Sequence, residues 1–281
     1  MSSNAATPAS VHIKTPDEIT KMRVAGNLTA RVLEAVSGYV KAGITTADID
    51  TFCERYIVDT LGATPGSKGQ YGYPFTVNTS LNKVVCHGMP SPTEILEKGD
   101  ILNVDITVIK DGYYGDSSKM FCILPVASHA QRLSDITQEC LYLGILAVKP
   151  DATIGDIGHA IQKHAEKNTY SVVRDYCGHG IGTKMHESPQ IVHYGRPGEG
   201  MKLQPGMTFT IEPMINQGKA EVKHIKKNDW PIAITADRRL SAQWEHTILV
   251  TETGFEILTL REDEKEFFEN FKAKHEQLIS S

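Results

Sequence analysis

Four acids and one histidine lie where ionisable side chains are hard to accommodate: Asp105 in ILNVDITVI, Asp116 in YYGDSSKMF, His179 in CGHGIG, Glu212 in TFTIEPMI and Glu245 in AQWEHTILV. A carboxylate in an apolar run needs a partner, because its charged form is poorly solvated there. A structural ion pair would satisfy any one of these acids, and for two bare aspartates that reading stands level with a functional one. Together the five residues form an oxygen-rich ligand set. Such a set suits one or two divalent first-row ions such as manganese, iron or cobalt better than a thiolate-bound structural zinc. Two ions roughly 3.5–4 Å apart can bridge a hydroxide nucleophile and polarise a carbonyl, which is hydrolytic chemistry. His87 in VVCHGMP and His186 in KMHESP stand in loop-like segments beside expected strand ends. An imidazole there can donate to a substrate carbonyl or amide, although each could equally be a hydrogen-bonded structural histidine. The other histidines carry less signal. His246 must face away from Glu245 on an alternating strand. His129, His159, His164 and His275 fall on expected helices facing solvent, and His12, His193 and His224 belong to no motif.

Local elements must bring these groups together. The Asp111-Gly112 pair predicts a two-residue hairpin turn, which sets Asp116 opposite Thr107. Asp105 and Asp116 then share a face as diagonal neighbours, where two carboxylates repel unless they share a proton or a cation. Thr15, Pro16 and Glu18 open an amphipathic helix as N-cap, first helical residue and capping-box acid. A second helix is expected from a cap near Thr46 to Gly62, a third over Ser128 to Val148 and a fourth over Ile154 to Lys167. Residues 63–80 read as a Gly/Pro/Tyr-rich loop ending in the strand candidate FTVNTS. KVVCHGMP, ILNVDITVI, YYGDSSKMFCIL, IVHYG, MTFTIEPMI, WPIAIT and AQWEHTILVTETGFEILT read as further strands. An internal repeat underlies this order: LEKGDILNVD and LQPGMTFTIE share the frame L-x-x-G-x5-acid, and each follows a Cys and a His-Gly, in VCHG and CGHG. The expected architecture is two pseudo-equivalent halves, strands inside and helices outside, with a site between them.

Composition narrows the class. The 281-residue chain is 40% hydrophobic and 22% charged, the balance of a soluble globular protein. A net charge of -5 without a Lys/Arg block gives no nucleic-acid footprint. Five cysteines without CxxC spacing exclude a disulfide framework and a thiol redox enzyme, and suggest reduced core thiols in the cytoplasm. The first residues lack the pattern of a signal peptide, and LYLGILAV is too short to span a bilayer.

NKVVCHGMP, ILNVDITVIKDGYYGDSSKMF, GHGIGTKMHESP, TIEPM and LSAQWEHTILV resemble the motifs of type I methionine aminopeptidases, over a stretch from about Thr15 to Leu260. The resemblance implies an α+β pita-bread fold with pseudo-two-fold symmetry, in the short bacterial-style form without an N-terminal extension. It divides the chain into a flexible tail (1–14), one metallo-aminopeptidase domain (15–262) and a polar, helical C-terminal tail (263–281). It implies two divalent ions, cobalt, manganese or iron, with zinc and nickel as further candidates. Asp105 would chelate one, His179 and Glu212 the other, and Asp116 and Glu245 would bridge both. A weak monovalent-cation site near Asn82, Val84 and Ser241 is also implied. The implied reaction removes the initiator methionine from nascent polypeptides, near the ribosome, when the second residue is small. A metal-bridged hydroxide would attack the scissile carbonyl, with Glu212 handling its proton, His186 stabilising the tetrahedral oxygen and His87 meeting the leaving amide nitrogen. The resemblance further implies a cytoplasmic monomer that binds no membrane and no specific nucleic acid.

The sequence departs from the family around the side-chain pocket, where Gln70 replaces a usual Tyr, Asn78 a usual Cys, Met185 a common Phe and Trp244 a common Tyr. Tyr73 and Trp230 remain as pocket walls. Two alternatives therefore stand beside the methionine reading: a pita-bread aminopeptidase with altered N-terminal preference, and a catalytically weak pita-bread binding protein. A relative cutting X-Pro bonds would carry a further N-terminal domain, for which this chain has no room.

Overall fold

The computed structural model describes residues 10–280, so the first nine residues of the expected N-terminal tail and Ser281 lie outside the described residues. Helix α1 (Pro16–Ser37) opens with the reciprocal Thr15–Glu18 capping box. Helix α2 (Thr46–Arg55) is capped by Thr45, not Thr46, because the Thr45 hydroxyl accepts from the Asp48 amide while Asp48 reaches back to the Thr45 amide. The chain continues as a π-helical turn, Tyr56–Thr60, before Gly62. Helices α3 (Ser128–Leu146) and α4 (Ile154–Lys167) follow the expected spans, and α4 opens with a Thr153–Asp156 box.

The repeat seen in the sequence has physical counterparts. Thr45 bridges Ile95 and Thr153 bridges Lys202, so each helix cap is tied to the residue before a repeat leucine. Leu96 and Leu203 are both buried, and Gly99 and Gly206 both take left-handed φ, +101° and +86°, which glycine adopts without a Cβ clash. Both turns lead to an acid of the candidate site, Asp105 within the strand Ile101–Lys110 and Glu212 just after the strand Thr208–Ile211.

In the first half, strands Ile101–Lys110 and Tyr113–Cys122 form an antiparallel hairpin. Asp111 and Gly112 both have positive φ, as a type I′ turn requires. The register sets Thr107 opposite Asp116 and Asp105 opposite Ser118, as the turn predicts. Strand Val77–Leu81 covers the other edge and places Asn78 opposite Asp105. In the second half, Phe255–Ile257, His246–Val250, Thr208–Ile211, Gly178–Gly180 and Glu187–Ile191 form a five-stranded sheet. The expected IVHYG strand (191–195) is not formed; the strand lies before it, at Glu187–Ile191, and shares only Ile191.

Two expected continuous strands are broken, both at a site acid. Glu212-Pro213 separates Thr208–Ile211 from Met214–Asn216, and Trp244-Glu245 separates Ser241–Gln243 from His246–Val250. On one side of the breaks the partners are Thr208–Ile211 and His246–Val250; on the other they are Met214–Asn216 and Ser241–Gln243. Both chains thus change sheets together, and Pro213, which has no N–H to offer a ladder, sits at the change.

Helices cover the sheets from outside. Val32, Leu33, Ile49 and Ile57 pack on Leu102, Val104 and Ile106 in one half. In the other, Leu141, Ile145, Ile157 and Ile161 pack on Phe209, Ile211 and Ile248. Each such side chain contributes about 1.5–3 kcal/mol by leaving water. Helix α5 (Lys265–Ser280) sets Phe268 edge-on to Tyr142, 5.0 Å between ring centres. The halves are joined at the middle: the Asp116 amide donates to Thr247 Oγ1 at 3.1 Å, Thr247 Oγ1 donates to the Asp116 carbonyl at 2.7 Å, and Ser118 bridges Glu245. The α+β arrangement of strands inside and helices outside is therefore observed. Among the described residues no helix is long and apolar enough to cross a membrane.

Candidate metal centre

A cavity of about 790 Å³ opens between the halves, and Asp105, Asp116, His179, Glu212 and Glu245 all line it. Asp116, His179 and Glu245 each bring a ligand atom within 4.8 Å of the others. His179 Nε2 lies 3.6 Å from Glu212 Oε1 and 3.7 Å from Asp116 Oδ2. Asp105 enters from its position diagonal to Asp116 on the hairpin.

Neutral donors hold these groups. His179 Nδ1 lies 3.0 Å from the Gly180 carbonyl, so the proton belongs on Nδ1 and the Nε2 lone pair faces the carboxylates. Thr210 Oγ1 accepts from the His179 amide and donates to Glu212 Oε1 at 2.8 Å. Gln243 Nε2 donates to Glu212 Oε2 at 3.3 Å, and Thr107 Oγ1 to Asp116 Oδ1 at 2.9 Å. Gly178 is required beside His179, since a Cβ there would lie 2.3 Å from the Thr210 carbonyl oxygen.

No lysine or arginine is among the described residues lining the cavity. Burial, reinforced by Asp116, raises the Asp105 pKa well above the usual carboxylate range. Burial also raises Asp116, against the hydrogen bond from Thr107. Glu212 and Glu245 are raised by burial and then by their acidic neighbours. Four converging carboxylates and one imidazole nitrogen with no basic side chain among them fit divalent cations, which remove the repulsion that burial creates.

His87 and His186 line the same cavity. His87 has φ +61°, and Trp230 Nε1 holds its carbonyl at 3.1 Å. Burial, followed by the charges of His186 and His224, lowers the His87 pKa to about 4. His186 stands exposed at the mouth, its ring 4.3 Å from that of His179 and its Nδ1 3.2 Å from the Tyr71 hydroxyl. Desolvation by the surrounding walls lowers its pKa as well. Both imidazoles are therefore neutral at pH 7.

Tyr73, Gln70, Asn78, Met185 and Trp230 all line the cavity. Tyr73 spends its hydroxyl on the Val77 carbonyl at 2.8 Å and packs its ring 4.6 Å from that of Trp230, which leaves an apolar wall. Gln70 Nε2 donates to Tyr114, whereas the buried Asn78 Oδ1 has no partner among the described residues. Trp244 does not belong to the pocket: its indole donates to the Ser134 carbonyl at 3.1 Å inside the main core.

Several participants carried no sequence signal. Tyr71 and Tyr176 line the cavity, and His193, wholly buried, accepts from the Glu212 amide at 3.1 Å. His246 faces away from the cavity, but into a buried contact with Glu264, 3.1 Å from Nε2. His164 is not simply solvent-facing; its Nε2 lies 2.6 Å from Glu139. At Asn82 and Ser241 the polar atoms are mutually engaged: the Asn82 carbonyl accepts from the Ser241 amide at 2.9 Å, and Ser241 Oγ donates to Asn216 Oδ1 at 2.8 Å.

The fold and this acid cluster define a metallopeptidase: residues 20–252 match the description Metallopeptidase family M24, and the chain belongs to that family. Among curated proteins it is 52% identical over 254 residues to the methionine aminopeptidase of Escherichia coli K12, covering 90% of this chain and 96% of that one. The crystal structure of methionine aminopeptidase from Rickettsia prowazekii superposes with a TM-score of 0.86 at 46% identity, covering 89% of this chain and all of the other. Prolidase from Pyrococcus furiosus, at 22% identity and a TM-score of 0.71, shares the pita-bread fold alone.

Proposed function

We propose that the chain is a metal-dependent aminopeptidase that removes the N-terminal methionine of polypeptides whose second residue is small. The observation that carries this is the convergence of four carboxylates and His179 on one cavity walled by Tyr73 and Trp230. The similarity to methionine aminopeptidases supports the substrate. Asp105, Asp116, His179, Glu212 and Glu245 would hold two divalent ions, with Asp116 and Glu245 shared; manganese, iron and cobalt suit the donors, and zinc or nickel would also be accepted. Ions bound there supply Lewis acidity and lower the pKa of bound water.

The protein's own groups do the rest. Glu212, fixed by Thr210 and Gln243, takes the proton of the attacking water. The Tyr71 hydroxyl donates to His186 Nδ1, which leaves Nε2–H to donate to the scissile carbonyl oxygen as it gains charge. His87, neutral and held by Trp230, meets the leaving amide nitrogen. Tyr73 and Trp230, with Met185, Gln70 and Asn78, enclose the methionine side chain. The same reading places the substrates as nascent polypeptides near the ribosome, in the cytoplasm, acted on by a monomer. It adds a monovalent cation at Asn82, Val84 and Ser241.

One observation favours a second reading, altered N-terminal preference: the unpartnered Asn78 oxygen in the pocket wall would suit a polar side chain. The deciding assay follows release of the first residue from Met-Ala-Ser, Leu-Ala-Ser and Gln-Ala-Ser by protein reconstituted with manganese, iron or cobalt. Met-Ala-Ser is expected to be cleaved fastest. Faster release of Gln would move the substrate assignment, and no release with any metal would favour a binding protein.

A further inference from the structure

The segment before α1 is not free of the site. Val11 packs against the main core, the Lys14 amide donates to the Gly206 carbonyl at 2.9 Å, and Lys14 is buried. Its Nζ lies 2.7 Å from Glu187 Oε2, and its side chain is 1% exposed. Gly182 makes room for it, since a Cβ there would lie 2.6 Å from Lys14 Cε. Glu187 directly follows His186. Its other oxygen accepts from the Lys184 amide at 3.1 Å, while the Gly182 amide donates to the Lys184 carbonyl at 3.1 Å. One carboxylate therefore closes the loop that carries His186 and ties it to the N-terminal segment. A groove of about 550 Å³, lined by Ser10, His12 and Glu18 on one side and Thr183, Lys184, His186, Glu187 and Ser188 on the other, lies between segment and loop. His186 has few other restraints: it is exposed, touching Tyr71 and the His179 ring.

We infer that Lys14 is a positioning residue for His186, acting through Glu187 from outside the cavity. Strand pairing of Gly180 with Glu187 and the Tyr114 amide on the Gly182 carbonyl at 2.9 Å fix the ends of the loop. Removing the cation therefore frees only the Thr183–His186 tip that the Glu187 carboxylate closes, and a misplacement of about 1 Å at a reacting group lowers the rate by about 100-fold. The inference rests on the reading of His186 as the donor to the scissile carbonyl, so the test includes H186A. Lys14→Met, Lys14→Arg and the double variant K14M/E187L would be assayed on Met-Ala-Ser, with manganese affinity measured by calorimetry. Lys14→Met is expected to lower kcat about 10–100-fold, with KM and manganese affinity within about twofold, and Lys14→Arg to restore most of the rate. The double variant replaces the pair by an apolar contact and so remains informative where the single variant does not fold; its kcat is expected to stay low. Near-parent kcat in folded K14M or in the double variant overturns the inference, as does a parallel loss of manganese affinity. Near-parent turnover in H186A would instead overturn the role of His186 itself.

Discussion

A carboxylate buried among carboxylates persists either as the neutral acid or beside a cation, and this sets how the metal-free protein responds to pH. Asp105, Asp116, Glu212 and Glu245 have folded pKa values raised by burial. The folded state then binds more protons than the unfolded chain, and stability falls as pH rises through the folded values. Buried histidines act oppositely: His87 is lowered to about 4, and His179 and His193 to about 3. Their contribution is gained as pH rises through the unfolded value of about 6.5 and is nearly complete by about pH 7.5. Above about pH 7.5, where the histidine contribution is complete, the acids act alone, so the thermal midpoint in EDTA should fall as pH rises through the raised values of Asp105, Glu212 and Glu245. With manganese present the fall should vanish, because the ionised acids bind the ion. A flat metal-free midpoint would mean that the acids are already compensated without metal. All five metal-ligand candidates were legible as residues, since an acid in an apolar run is conspicuous. His193 and Tyr71 were not, because their roles exist only through contacts with Glu212 and His186 across the fold.

At the scale of elements, the hairpin was readable to the register, because a two-residue Asp-Gly turn leaves one pairing that buries the right face. The breaks at Glu212 and Glu245 were not, since apolar runs look continuous whether a strand stays in one sheet or changes to another. Pro213 was the available sign. The duplicated turns give a quantitative contrast. Gly99 and Gly206 share left-handed φ, but a Cβ at Gly99 would meet nothing within 4 Å, whereas at Gly206 it would lie 2.7 Å from Ile13 Cγ2. Gly99→Ala should cost only the backbone strain, about 1 kcal/mol. Gly206→Ala adds displacement of the segment that carries Lys14 and should cost roughly 2–3 kcal/mol. Urea unfolding of both variants measures this; equal midpoints would show that the segment yields freely.

For the whole molecule, the internal repeat was visible as two matched frames, and its consequence is that neither half owns the site. Asp105 and Asp116 come from the first hairpin; His179, Glu212 and Glu245 come from the second half. The strands of the two halves are tied at the centre by the Asp116–Thr247 hydrogen bonds, the Ser118–Glu245 bridge, Ser117 Oγ on the Glu245 carbonyl at 2.6 Å and Asn103 Nδ2 on the Gln243 carbonyl at 2.8 Å, each beside or within the acid cluster. Ions held by ligands from both halves would therefore act as a cross-link that exists only in the folded state. At one hundred times its dissociation constant, a ligand that binds only the folded state adds about 2.7 kcal/mol, which for a chain of this size raises the midpoint by roughly 5–10 °C. Scanning calorimetry with and without manganese should show one transition moving as a whole, because the acid cluster spans the junction and both helical layers pack on sheets that meet there. Two transitions, of which only one moves, would mean that the halves melt separately and that the metal belongs to one of them.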